Sequence, residues 1–282
     1  LPVLKGLRWV SLDALLGDAS LDLIVFEGEV KDALPLGRKV IEAGKHLHLE
    51  KPPGNRLEPF RELVELAKSR RRLLQLGYLW RFHEGIDRAL DAMRQGWLGD
   101  VFLIRATINS DRDPAQRAVE ARYPGGSMFE LAGHTIDRIL SFLGRPHQVR
   151  HWLRHDSLFP DTLQDNTLAV FEYDKALAIV FSAAMMGGSG PHRSFEVIGT
   201  DGTFLIQPME PVPTLRVFLR TARGPHKAGW QDLQLEPQPR YIGDFRELAG
   251  AILGGRPLKY SYDHELLLQE TLLRASGEIG PG

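Results

Sequence analysis

Between Leu21 and Gly77 the chain alternates short apolar runs with longer amphipathic ones, and this alternation restricts the possible fold more than any other feature. Leu21-Asp22-Leu23-Ile24-Val25-Phe26 reads as a buried strand, and Lys31 to Ala43 reads as a helix closed by Gly44. A strand over His46 to Glu50, a helix over Leu57 to Ser69 and a strand over Leu73 to Gly77 follow. Parallel strands need a long crossover between them, and helices of this length supply it, so the pattern predicts βαβ units and a parallel sheet. Arg81 to Gln95 reads as a further helix that stops at Gly96.

Beyond Gly99 the pattern changes, and strand-like runs succeed one another with only turns between them. Val101 to Ile108, Val149 to Leu153, Leu168 to Tyr173 and Leu177 to Ala184 are strand candidates. Phe195 to Ile198, Thr203 to Ile206, Leu215 to Leu219 and Asp232 to Leu235 extend the series. Tyr173-Asp174-Lys175 and Thr200-Asp201-Gly202 have the composition of hairpin turns, which makes their flanking strands antiparallel. One helix is predicted over Ser127 to Leu143, and two more, Tyr241 to Leu253 and Asp263 to Ser276, close the chain. Pro208 to Pro213 and Pro237 to Pro239 read as loops. The predicted fold class is α/β: a parallel-sheet domain over residues 1–95, then an α+β domain with a mostly antiparallel open sheet over 96–282.

Composition removes several function classes. Formal net charge is −1, and the only dense basic run, Lys68 to Arg72, falls where a helix should end and complements its dipole. A nucleic-acid partner is therefore not expected. With no cysteine, there is no thiolate nucleophile and no cysteine metal site. Leu177 to Met186, the longest apolar stretch, is about half of a bilayer span and contains Ser182, so no membrane partner is expected. Leu1-Pro2-Val3-Leu4 shows no signal-peptide pattern, and the expectation is a soluble, cytoplasmic protein whose natural start lies upstream of Leu1.

Two places concentrate reactive groups. Glu50-Lys51-Pro52-Pro53 follows a predicted parallel strand, and ligands of open α/β sheets bind beyond the carboxyl ends of the strands. Lys51 there could donate a hydrogen bond or relay a proton, and a cis Lys51-Pro52 bond would set a sharp turn; a plain strand end with a Pro-Pro stop is the alternative. On the helix after Tyr123-Pro124-Gly125-Gly126, Glu130, His134, Asp137 and Ser141 share one stripe opposite the apolar side. Glu130 and His134 are one turn apart, the arrangement in which a carboxylate orients an imidazole as general base. The same residues admit a second reading, with Ser127 and Glu130 as a capping box and His134 and Asp137 on a solvated face. His46 and His48 point to one side of their strand without a third ligand, so no metal site is expected. Ser182 and Ser189 lack a nucleophile-elbow context, and Gly187 to Gly190 reads as a flexible loop.

Taken in order, these motifs resemble the Gfo/Idh/MocA family, which includes inositol dehydrogenase and glucose-fructose oxidoreductase. The likeness runs from about Trp9 to about Arg274. It rests on Glu42-Ala43-Gly44-Lys45-His46 leading into Glu50-Lys51-Pro52, and on Trp80-Arg81-Phe82 opening a helix that closes as Gly96-Trp97-Leu98-Gly99-Asp100. Gly125-Gly126-Ser127 with Glu130, His134, Ile136 and Asp137 in register, and then Gly199-Thr200-Asp201-Gly202-Thr203, complete it. The resemblance implies a Rossmann domain, NAD or NADP as cofactor, and hydride transfer between nicotinamide C4 and a hydroxyl-bearing carbon of a sugar, cyclitol or related polyol. It makes Lys51 the hydrogen-bond donor to the reacting hydroxyl, His134 the acid/base, and Glu130 its partner at a position where the family usually has Asp. Glu50 and Pro52 would lie along the nicotinamide ribose, Arg81 near the nicotinamide, and Glu27 on the cofactor side. Arg122 and Tyr123, with Asp111 and Arg112, would face the substrate. The open sheet face would serve a homo-oligomer.

The sequence departs from the family in three respects. No G-x-G-x-x-G turn occurs in the first fifty residues, so two βα units of the Rossmann domain are expected to be missing and the chain alone to bind dinucleotide poorly. Phe26-Glu27-Gly28-Glu29 stands where a Thr-Pro-Asn-like turn is usual, and Glu130 replaces Asp. The last two departures keep a non-catalytic sugar or dinucleotide sensor open, and the resemblance itself leaves room for a redox-neutral glycosidase that oxidises, eliminates and reduces again.

Overall fold

A computed structural model of the chain describes residues 6–237 and 239–280. Leu1 to Leu4, which show no signal-peptide pattern, and Gln238 of the predicted Pro237–Pro239 loop lie outside the described residues. The chain divides into two compact units, one running to Gly54 with Glu58–Gly77, the other comprising Asn55–Leu57 and Tyr78 onward.

Among its described residues the first unit contains three strands, β1 (Leu23–Phe26), β2 (His46–Leu49) and β3 (Leu74–Leu76), in the order β1-β2-β3. Both pairings are parallel, with Phe26 opposite Leu49 and Leu49 opposite Leu76. Three helices accompany them: α1 (Leu12–Gly17), α2 (Val30–Glu42) and α3 (Leu57–Arg70). On α2, Ala33, Gly37, Val40 and Ile41 are buried; on α3, Phe60, Leu63, Val64 and Ala67 are. Each set follows the helical repeat that turns one stripe inward. Lys68 and Arg70 occupy the last turn of α3, as the basic run predicts. The short α1, capped by the Ser11 hydroxyl, has no buried residue, although Leu12, Leu15 and Leu16 follow the helical repeat.

The second unit is built on an eight-stranded sheet. In chain order its strands are β4 (Val101–Thr107), β5 (Gln148–Arg154), β6 (Asn166–Glu172), β7 (Leu177–Ala183), β8 (Ser194–Gly199), β9 (Gly202–Ile206), β10 (Thr214–Leu219) and β11 (Gly229–Gln234). Their order in space is β11-β10-β9-β8-β4-β7-β6-β5, and only β4 and β7 pair in parallel. The two predicted hairpins are present, β6–β7 closed by the Tyr173 N–H donating to Ala176 O (3.0 Å), and β8–β9. Ile104, Ala106, Ala169, Phe171, Ala178, Val180, Phe195 and Val197 are buried on one sheet face. Helices α4 (Glu84–Arg94), α6 (Ser127–Leu131), α7 (Gly133–Leu143) and α9 (Tyr262–Ala275) pack with the sheet or with one another; α5 (Pro114–Glu120) and α8 (Ile242–Gly254) complete the unit. The α/β and α+β class expected from the sequence is therefore present. The α4 helix and the 3-10 turn Leu79–Phe82 before it group with the second unit, whereas the sequence pattern places residues up to 95 with the first.

Two expectations fail around Ser127. The single helix over Ser127 to Leu143 is two helices meeting at Ala132. The capping box is also absent, because the N-cap of α6 is Gly126. The Ser127 hydroxyl instead donates to Ser182 O (2.9 Å) and meets the Thr167 hydroxyl (3.1 Å), and its N–H donates to Gln164 O (3.0 Å). A buried serine satisfies whichever partners surround it, and here those belong to the sheet. Gly126 has φ +47°, and a Cβ on it would stand 2.3 Å from the Gln164 carbonyl oxygen. Both the backbone conformation and the close approach exclude a side chain. Gly126→Ala is expected to destabilise the protein by about 2–4 kcal/mol, read as a lower urea midpoint with an unchanged slope.

Candidate active site

In the first unit, the candidate groups gather at the carboxyl edge of the parallel sheet. The Glu50 N–H donates to Phe26 O (3.1 Å) and the Gly77 N–H to Leu49 O (3.0 Å), so the chain leaves all three strands at one level. Glu27 follows β1 and is exposed, and Glu29 pairs with Lys31 at 2.9 Å on the surface. Glu50 is half-buried, and its Oε2 lies 2.6 Å from where a Cβ on Gly77 would be. Lys51 is half-exposed, Pro52 and Pro53 are buried, and the Lys51-Pro52 bond is cis. His48 Nδ1 is 2.9 Å from Gln75 Oε1, and since an amide oxygen only accepts, Nδ1 carries the proton. Burial holds the His48 imidazole below its ordinary pKa, against the opposing Gln75 bond and Glu27 charge. His46 Nδ1 accepts from the Leu73 N–H (2.8 Å). Both histidines thus hold neighbouring strands together.

In the second unit, His134 is the second residue of α7 and is 7% exposed. Its imidazole meets the Tyr78 ring edge-on (centroids 5.7 Å, 82°) and the Trp80 ring at 6.1 Å and 34°. A Cβ on Gly133 would stand 2.7 Å from Tyr78 Cε1, so the missing side chain at the start of α7 is what admits the tyrosine. Glu130, on the last turn of α6, is half-buried. Tyr123 stacks on Phe129 (5.4 Å, 27°), Arg122 and Asp111 are exposed, and Arg112 pairs with Glu120 at 2.6 Å.

Asp137, one turn after His134, corrects the sequence reading most sharply. The spacing offers a solvated face, yet Asp137 is fully buried. Its Oδ1 accepts from Arg81 Nε (3.0 Å) and Nη2 (2.8 Å), and Arg81 Nη1 and Nη2 donate to Glu265 Oε1 (2.6 Å) and Oε2 (2.7 Å). His264 Nε2 lies 2.9 Å from the same Asp137 oxygen. Burial pushes the Asp137 carboxyl up, but Arg81, His264 and Arg138 outweigh it and hold the group well below the usual carboxylate range. Arg81 is 2% exposed, and its guanidinium is committed to these two carboxylates, with the Tyr260 ring 4.2 Å away. Local sequence carried no sign of Glu265 or His264, because they join Asp137 only through the fold.

A cleft beside this cluster is lined by Trp80, His83, Met209, Glu210, Arg240 and Asp244. Trp80 Nε1 donates to Glu210 Oε1 (3.4 Å), Arg240 pairs with Glu210, and His83 Nε2 donates to Met209 O (3.0 Å). Serine chemistry finds no support in the geometry: the buried Ser182 hydroxyl lies 3.0 Å from both Ile108 O and Ser127 O.

Residues 86–205 match the GFO/IDH/MocA C-terminal domain model, a span that includes α6 and α7. This segment is similar to the C-terminal domain of Gfo/Idh/MocA oxidoreductases. It is 28% identical over 206 residues to the uncharacterized oxidoreductase YhhX of Escherichia coli, covering 72% of this chain and 58% of that protein. It is 24% identical over 167 residues to scyllo-inositol 2-dehydrogenase (NADP(+)) IolW of Bacillus subtilis, covering 58% of this chain and 46% of that protein. The matched part thus spans less than two thirds of these relatives' length. Levoglucosan dehydrogenase, solved with NADH and levoglucosan, shares the fold with a TM-score of 0.78 at 17% identity, over 94% of this chain and 80% of that one. Among the described residues no helix is long and apolar enough to cross a membrane.

Asp244 gives this region a measurable pH signature. Burial raises its carboxyl from 3.8 to about 6, with Arg81 opposing and Asp137 and Glu247 adding to the rise. An acid whose folded pKa is raised stabilises the fold fully below its unfolded pKa, and that stability is lost as pH climbs through the folded value. Between about pH 4 and pH 6 Asp244 should therefore lower stability by an amount on the order of 2–3 kcal/mol. Asp244→Asn is expected to flatten that decline in urea midpoints measured across the same range.

Proposed function

We propose that the chain acts as an NAD(P)-dependent oxidoreductase on a secondary hydroxyl of a sugar, cyclitol or related polyol. The observation that carries this reading is His134, buried at the head of α7 with its ring between Tyr78 and Trp80, inside the segment that matches the family. IolW is by its name a scyllo-inositol 2-dehydrogenase with NADP(+), and levoglucosan dehydrogenase was solved with NADH and levoglucosan.

The residues present fit the nicotinamide-ribose half of the cofactor. Glu50, Lys51 and Pro52 leave the parallel sheet at its carboxyl edge, beside Gly77, whose lack of a side chain leaves room for the Glu50 carboxylate. Glu27 is a further candidate on that edge. The pyrophosphate half is not matched among the described residues, because no strand, glycine-rich turn and helix follow one another there. The cofactor supplies C4 of its nicotinamide as hydride acceptor or donor. Lys51 Nζ donates to the oxygen of the reacting hydroxyl, which lowers the cost of the negative charge that builds there. His134 takes the hydroxyl proton as the carbon gives up its hydride, leaving a carbonyl; in the reverse direction it returns the proton. Tyr78 and Trp80 hold the imidazole plane by edge and tilted ring contacts. Glu130 tunes His134, and Arg122 and Tyr123 contact substrate. Arg81 serves the ion cluster and not the cofactor directly, since its donors are held by Asp137 and Glu265.

Titration of the chain with NADH and NADPH by cofactor fluorescence, followed by a panel of sugars and cyclitols, tests the reading. The chain alone is expected to bind with a Kd weaker than about 10 μM. Turnover at saturating cofactor should fall by about 10²–10⁴-fold in Lys51→Met and in His134→Ala. Near-normal turnover in both variants would sink the assignment. Binding without conversion would favour a sensor, and release of free sugar without NADH build-up a redox-neutral glycosidase.

The open face of the eight-stranded sheet supports homo-oligomer formation. Trp152, 51% exposed, lies in register with Leu168 and, across the next pair, Phe181. Light scattering should give a multiple of 31.7 kDa, and Trp152→Arg should lower it toward a single chain.

A further inference from the structure

The side chains around His134 are fixed from two directions, and a single ion cluster controls both. Tyr78 and Trp80, whose rings pack on the imidazole, lie three and one residues before Arg81. His134 itself is one helical turn before Asp137 on α7. Arg81 grips Asp137 with Nε and Nη2 and grips Glu265, in the first turn of α9, with Nη1 and Nη2. The aromatic wall and the helix bearing His134 are thus both tied to α9 through one guanidinium.

We propose that Glu265 is a positioning residue for His134: by completing the charge and geometry of Arg81, it holds α7 and the Tyr78–Trp80 segment in the one arrangement that orients the imidazole. The proposal rests on His134 being the acid/base group. A planar guanidinium meeting one carboxylate in a two-pronged contact and another through Nε is directionally rigid in a way that a lysine or a single hydrogen bond is not. The other charged groups around it, Arg138 with its Nη1 2.5 Å from the Tyr260 hydroxyl, His264 on Asp137, and Asp244 from α8, leave Glu265 as the only carboxylate that pairs with Arg81 from α9 among the described residues. Without Glu265, Arg81 retains Asp137 but loses the contact that sets its rotation about the ring stack with Tyr260.

The test uses Glu265→Gln, which keeps the shape and removes the charge, Glu265→Asp, which keeps the charge, and Glu270→Gln as a control. Glu270 lies on the same helix and pairs with Arg145 and Arg274 away from the cluster. Ring-to-ring NMR contacts between His134 and Trp80, assigned with His134→Gln, report orientation without any substrate. These contacts should weaken at least about twofold in Glu265→Gln and recover at least in part in Glu265→Asp. They should be unchanged in Glu270→Gln even if that variant loses stability. Turnover, once a substrate is in hand, should fall about tenfold or more in Glu265→Gln with KM changed less than about twofold. A folded Glu265→Gln protein with unchanged His134–Trp80 contacts overturns the proposal. If Glu265→Gln does not fold, Arg81→Lys, which keeps the charge and loses the fork, gives the same reading: unchanged ring contacts overturn it and weakened ones support it. Full turnover in His134→Ala would instead defeat the acid/base assignment while the ring contacts still reported on the clamp.

Discussion

A guanidinium buried to 2% exposure must find its counter-charges inside the protein, and Arg81 finds them on two helices that are far apart in sequence. Removing two or more charges from water is costly, so such a cluster persists only when its hydrogen bonds are nearly complete. Here the Arg81 nitrogens point at Asp137 and Glu265, Tyr260 lies against the guanidinium, and His264 takes up a further share of Asp137. The meeting of α7, α9 and the 3-10 turn Leu79–Phe82 follows from that requirement, since displacing any of them would strand a charge in the interior. The orientation of His134 is a consequence of the same packing, one turn away.

The two groups of candidate residues owe their positions to different kinds of order. Glu27, Glu50 and Lys51 are placed by sheet register: parallel pairing of three short strands brings their ends to one level, and the residues that follow inherit that place. His134, Glu130 and Asp137 are placed by two helices that are largely buried, so tertiary contacts set their surroundings. Ordinary helical amphipathicity explains α2 and α3 but not α7, where the polar stripe faces an internal ion cluster instead of water.

Gly125, Gly126 and Gly133 show how small residues serve this arrangement. The first two let the turn before α6 pass close to Ser276 and Gln164, and Ser127 then bonds to the sheet at Ser182 and Thr167. Gly133 admits Tyr78 against the start of α7. A capping reading of Ser127-x-x-Glu130 is locally sound, but a hydroxyl at a strand-facing position has stronger partners than its own helix.

Much of the architecture was legible in the chain itself. The alternation from Leu21 to Gly77 determined three parallel strands with helices between them, because a period of two and a period of 3.6 bury different stripes of side chains. Tyr173-Asp174-Lys175 and Thr200-Asp201-Gly202 determined hairpins through local turn chemistry, and the ordered motifs from Glu50-Lys51-Pro52 to Gly199-Thr200-Asp201-Gly202-Thr203 carried the resemblance to the family whose C-terminal domain model residues 86–205 match. Only the tertiary structure decided that Ser127 serves the sheet, that Asp137 is buried, and that Arg81 answers to Glu265 and not to solvent. These outcomes depend on contacts across 55, 56 and 184 residues of chain, and periodicity reports which side of a helix differs from the other, not what waits on that side.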